Sequence, residues 1–183
     1  MPAQMLQWQR EHANFSKLLD LIERQLELFH GGERPAYDLM LDVMDYMTQY
    51  SDRFHHAKED LAFKRLLGYE PAARSAVAAL AGQHRVIADS GAELVKDLKA
   101  VMSGAMLPRQ AVESQAGTYV AYLRSHIERE ERELFPLLSL LRQEDWFLID
   151  SAMHFLVDDE AAENQRRAIH RQIAQAAGCG CEV

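Results

Sequence analysis

The chain has 183 residues, 48% hydrophobic and 26% charged, with a formal net charge of −8; it reads as one domain with material for a real core. The acidic balance excludes a general nucleic-acid binder, which needs a basic footprint, and no apolar run approaches the ~20 residues of a membrane span. Cys179 and Cys181 are too few to frame a disulfide-rich fold, and Met1-Pro2-Ala3-Gln4 lacks the basic region and apolar core of a signal peptide, so a cytoplasmic protein is expected.

The first helix is expected from Gln4 to Phe29, with Phe15, Leu18, Leu19, Ile22, Leu26 and Phe29 recurring at helical spacing before Gly31-Gly32. Pro35 suits the first turn of a second helix that continues to Leu67, with Gly68 as its cap. Pro71 opens a third, which fades near Ser103-Gly104. Pro108 opens a fourth, running to Leu141, with Pro136 inside it to kink or end it. Glu144 to Ala176 reads as one or two further helices broken near Val157-Asp158-Asp159. No strict alternation of a surface strand occurs. The fold class expected is all-α: an up-down-up-down four-helix bundle over residues 1–142, a C-terminal helical extension over 143–176, and a flexible tail over 177–183.

The histidines carry the functional signal. His55 and Glu59 stand four apart on the second helix, His126 and Glu130 four apart on the fourth. A four-residue step returns a side chain to within ~40° of the same face, so each pair projects an imidazole and a carboxylate together, the building material of di-metal bundle sites. The arrangement is duplicated. His12 to His84 spans 72 residues and His55 to His126 spans 71, and His55-His56-Ala57-Lys58-Glu59 aligns with His126-Ile127-Glu128-Arg129-Glu130. Two metals between four helices would each see one half.

The order His, His-x-x-x-Glu, His, His-x-x-x-Glu resembles the hemerythrin-like (HHE cation-binding) family. Arg10-Glu11-His12, Phe54-His55-His56-Ala57-Lys58-Glu59-Asp60 and His126-Ile127-Glu128-Arg129-Glu130-Glu131 before Leu134-Phe135-Pro136 carry the resemblance, over about Gln4 to Leu141. It implies a bundle with a non-haem centre of two iron ions, His12, His55, His84 and His126 as terminal ligands, and Glu59 and Glu130 as bridging carboxylates. The sequence departs from the oxygen carriers. They place two histidines four apart on the third helix, where His84 has Leu80 and Ala88, and they follow the fourth-helix histidine by a longer step to an aspartate.

His56 is a candidate for the missing ligand. With His55 at 0° on a helical wheel, His56 lies at ~100° and Glu59 at ~40°, between the two imidazoles. Imidazole and carboxylate donors suit Fe, Mn, Zn or Co; iron is chosen by resemblance, with Zn or Mn possible.

Other residues read more plainly. Tyr119, Tyr122 and Trp8 are core aromatics, or neighbours that hydrogen-bond a bound ligand. Glu131 and Glu133 extend a solvated acidic run, in which Glu133, one turn from Glu130, could orient a ligand. Met40, Met44 and Met47 are core filler. His154 with Asp158 reads as surface or cap, and Cys179-x-Cys181 as part of the tail. The function expected is metal binding with binding or sensing of O2, NO or iron, in a monomer or homodimer. The alternatives are a di-iron enzyme acting on diatomics or peroxide or donating iron for cluster repair, and a bundle with a purely structural metal.

Overall fold

The structure, a computed structural model, describes residues 3–156 and their side chains as far as Met153. Every regular element among the described residues is helical: α1 (Ala3–His30), α2 (Tyr37–Tyr46), a π-helical stretch (Met47–His55), α3 (His56–Leu66), a 3-10 turn (Pro71–Ala73), α4 (Arg74–Met102), α5 (Arg109–Glu133), a second 3-10 segment (Phe135–Leu140) and α6 (Gln143–Leu156). None of these helices is long and apolar enough to cross a membrane. α2, the π stretch and α3 follow one another without a break and act as one rod. That rod packs on α4, and α1 and α4 both pack on α5.

Glycines stop two of the long helices. Gly32 (φ 78°) and Gly104 (φ 92°) adopt the left-handed backbone that turns the chain away after α1 and α4. At the first stop the Glu33 amide reaches back to the Leu28 carbonyl at 2.8 Å, at the second the Ala105 amide to Ala100 at 2.9 Å.

Three expectations change. The second rod begins at Tyr37 rather than Pro35, and its middle is not α-helical. From Met47 to His55 the backbone pairs i→i+5, and the stretch ends with the His56 amide bonded to the Ser51 carbonyl. A widened turn of this kind rotates the side chains that follow it, and it recurs at functional sites. The fourth helix ends at Glu133, before Pro136, whose ring cannot continue it; Phe135–Leu140 tightens into 3-10 geometry instead. The region after Gln143 is helical through Leu156; the expected break at Val157-Asp158-Asp159, the tail, Cys179, Cys181, His170 and the side chain of His154 lie outside what is described.

The interior is two hydrophobic clusters. One holds Phe15, Leu18, Leu19, Ile22, Met40, Met44, Met47, Ile87, Leu94, Tyr119, Val120 and Leu123. The other holds Met5, Trp8, Phe63, Leu66, Leu80, Leu134, Phe135, Leu138, Trp146 and Ile149, so α6 caps that end. Each full burial of such a side chain contributes roughly 1.5–3 kcal/mol. All four rods pass from one cluster to the other. Between Trp8 and Phe15 stands His12, between Met47 and Phe63 stand His55, His56 and Glu59, between Leu80 and Ile87 stands His84, and between Leu123 and Leu134 stand His126 and Glu130. A polar layer is thus closed above and below by apolar packing.

Candidate metal centre

All seven residues singled out in the sequence meet in that layer, and none is more than 5% exposed. Glu59 Oε1 lies 3.0 Å from His55 Nε2 and 3.5 Å from His12 Nε2, and its other oxygen lies 3.9 Å from His84 Nε2. Glu130 Oε2 lies 3.4 Å from His126 Nε2 and 3.5 Å from His12 Nε2, and Oε1 lies 3.7 Å from His84 Nε2. Each carboxylate therefore faces imidazoles from both halves of the duplication. Three groupings have donor atoms within 4.8 Å of one another: His12, His55 and Glu59; His56, His84 and His126; and Glu59, His84 and Glu130. His56 turns toward α4 and α5, its ring stacked on His84 at 4.2 Å and edge-on to His126 at 5.4 Å.

Four of the five histidines are oriented by hydrogen bonds from Nδ1 to an oxygen outside the layer. The acceptors are Glu131 for His12 (2.9 Å), Glu11 for His55 (2.6 Å), Asp60 for His84 (2.9 Å) and the Gln83 amide oxygen for His126 (3.1 Å). Nδ1–H donating outward leaves Nε2 turned to the centre, the arrangement of a metal-bound imidazole. His56 differs: its Nε2 is 3.3 Å from Ser51 Oγ, and its Nδ1 lies 3.3 Å from Asp52 Oδ1 without hydrogen-bond alignment.

Inside the layer the polar groups do not satisfy one another. All four oxygens of Glu59 and Glu130, and Nε2 of His84 and of His126, are buried with no hydrogen bond. Such a group costs about 1–3 kcal/mol, more when charged. The Nε2 atoms of His12 and His55 approach to 2.9 Å; with both Nδ1 protons directed outward, this contact needs a proton or a cation between the two nitrogens. Oxygens without donors beside inward nitrogens fit a cation, and the imidazole–carboxylate set suits a transition metal. The residues present fit a metal centre.

The electrostatics agree. Burial works to lower His55, yet Glu59 and Glu11 raise it to about 10, and against the same burial Asp60 with the two central glutamates raises His84 to about 9. Burial pushes Glu59 up, but His55 and His12 bring it far below the ordinary carboxylate range. Glu130 is also lowered, against burial and Glu59, by His126 and His84. His56 is held well below an ordinary histidine by burial and by its three imidazole neighbours, so it stays neutral. Burial pushes Asp52 up to about 7.

The model of the hemerythrin HHE cation binding domain matches residues 6–138. The chain belongs to the hemerythrin HHE cation-binding family. That family binds metal cations, typically iron, and the histidine–glutamate clusters of this member lie within the matched span. Curated proteins and solved structures give no match.

Some residues of this hemerythrin-like centre were not legible beforehand. The sequence pattern does not single out Glu11, Asp60 and Gln83 as partners of the histidines, and it places Glu131 in a solvated acidic run. Glu131 is the residue that orients His12, whereas Glu133 pairs with Arg129 and Arg132. A signal existed: each outer partner stands next to a central residue in sequence (Glu11-His12, Glu59-Asp60, Gln83-His84, Glu130-Glu131). Tyr119 is buried with its hydroxyl unpartnered, Tyr122 is half-buried, and Trp8 packs edge-on to His55 at 6.3 Å. Met40, Met44 and Met47 are core. A hollow lined by Arg142, Gln143, Glu144, Phe147 and Leu148 opens on α6 and includes none of the histidines.

Proposed function

We propose that this chain is a non-haem di-iron protein that binds two ions between its four rods, and that it binds or senses O2, NO or iron. The observation that carries this reading is the pair of buried carboxylates, each facing imidazoles from both halves of the duplication with no hydrogen bond of its own. His12, His55 and Glu59 would hold one ion, and His56, His84 and His126 the other, with Glu59 and Glu130 bridging. The rods would alternate up and down over residues 1–142; the family match to residue 138 and the packing of α6 on α3 support a bundle followed by an extension from residue 143.

A ferrous centre held by these residues would supply binding of a small diatomic. The chain's own part is to hold the donors and exclude water. Outward hydrogen bonds fix the imidazole rings, and the two apolar clusters close the layer to larger molecules. Metal analysis after anaerobic iron loading should give two ions per chain, and mixing the reduced protein with O2 and with NO should change its visible spectrum. One ion or none defeats the di-iron reading. Two ions with no spectral change toward either gas leave a structural metal.

A further inference from the structure

The outer hydrogen bonds close a ring around the bundle. Glu11 on α1 reaches His55 on the second rod, Asp60 on that rod reaches His84 on α4, Gln83 on α4 reaches His126 on α5, and Glu131 on α5 returns to His12 on α1. All four partners are half-buried. The ring follows the duplication: Gln83 stands 72 residues after Glu11, as His84 does after His12, and Glu131 stands 71 after Asp60. It is broken chemically at one point, because Gln83 is an amide where its counterpart Glu11 is a carboxylate.

That difference changes what the histidine behind it can do. A carboxylate only accepts, so it locks the Nδ1–H tautomer and draws the proton outward, which makes Nε2 a stronger donor. An amide is neutral, its bond to His126 is the longest of the four at 3.1 Å against 2.6 Å for Glu11, and it can also turn a donor to the ring. Both imidazoles in the His12, His55, Glu59 grouping are backed by carboxylates. In the His56, His84, His126 grouping only His84 has a carboxylate hydrogen bond; His126 has the amide, and Nδ1 of His56 has none.

We propose that the two metal positions are unequal: the position between His12, His55 and Glu59 takes a divalent transition cation first and holds it more tightly, and Gln83 is the positioning residue that keeps the second position weak. This rests on the di-metal reading of the centre. Its consequence is a chain that holds one ion firmly and exchanges the other as metal supply varies.

The test is an anaerobic titration with Co(II) against a competing chelator, followed by absorbance and total metal. Wild type should bind in two steps, their affinities separated by about tenfold or more. Gln83→Glu should tighten the weak step by about tenfold, the lower end of the effect of such outer partners, and leave the tight step unmoved. Glu11→Gln should weaken the tight step. A gain in affinity cannot come from damaged folding, so the Gln83 variant separates positioning from a structural role. His12→Ala should abolish the tight step and His84→Ala the weak one. Two steps of equal affinity, or a weak step unchanged in Gln83→Glu, overturn the inference while leaving the di-metal reading intact. A wild-type chain that takes up no metal overturns both.

Discussion

A carboxylate placed between two groups of imidazoles is worth more to the centre than any one imidazole. Glu59 faces His12, His55 and His84, and Glu130 faces His12, His84 and His126. Removing either would take away donors on both sides and, on the di-metal reading, the negative charge that screens two cations from each other. Glu59→Ala and Glu130→Ala should each lose most of the bound metal, to one ion per chain or fewer. His30→Ala should keep the full content, since His30 is exposed and pairs with Glu113 at 2.8 Å, away from the centre. Metal analysis of the three purified variants checks this, and equal content in all would defeat the bridging role. Tyr119 gives the opposite kind of prediction. Its hydroxyl is buried without a partner, so Tyr119→Phe removes an unsatisfied group and loses no hydrogen bond. Denaturant unfolding of the metal-free variant should match or exceed wild type; a loss of about 1 kcal/mol or more would mean the hydroxyl is bonded.

At the level of whole elements, the sequence carried the helices, the faces they bury and the doubled pattern of histidines, because 3.6-residue periodicity and glycine or proline punctuation are local signals. The seven central residues were legible from the four-residue His–Glu steps, the doubled spacing, the wheel position of His56 and the family resemblance. The π stretch was not. Nothing in Met47–His55 marks a widened turn; the stretch packs against α4, a tertiary contact that local patterns do not carry. The outer ring was legible only in part, as partners on neighbouring rods depend on how the rods are assembled. Gly91 in the middle of α4 is another tertiary signal. A Cβ there would stand 3.2 Å from both Thr48 Cγ2 and Tyr119 Cε2, so the glycine lets α4 approach the π stretch and α5. Alanine would gain about 1 kcal/mol of helix propensity against overpacking of typically 1–3 kcal/mol. Gly91→Ala should therefore be net destabilising by about 1 kcal/mol, and a thermal melt with a raised midpoint would refute the packing role.

For the molecule as a whole, the buried layer links stability, metal and protons. Without metal, Glu59 and Glu130 remain ionised, and protons on His55 and His84 offset them. The two histidines have folded-state pKa values of about 10 and about 9, above their unfolded value of 6.5. Their contribution is thus fully present below pH ~6.5 and is lost as the pH rises through 9 to 10. The glutamates have lowered values, so their contribution holds above pH ~4.3 and is lost on acidification. A metal reverses the alkaline branch. Bound there, it would need neutral imidazole, displace the protons on His55, His84 and His12 and take over the compensation of the carboxylates. The metal-free protein should therefore lose thermal stability between pH 8 and 10, while the metal-loaded protein holds its midpoint across that range. At pH 7 uptake should release the two protons of His55 and His84 and a further share from His12, which Glu131 and Glu59 raise against burial, measurable by calorimetry in buffers of different ionisation enthalpy. The same loading should stabilise the fold by about 2.7 kcal/mol at free metal one hundred times Kd. Metal uptake with no proton release, or metal-free stability that is flat to pH 10, would show that His55 and His84 are already neutral and that something other than their protons balances Glu59 and Glu130.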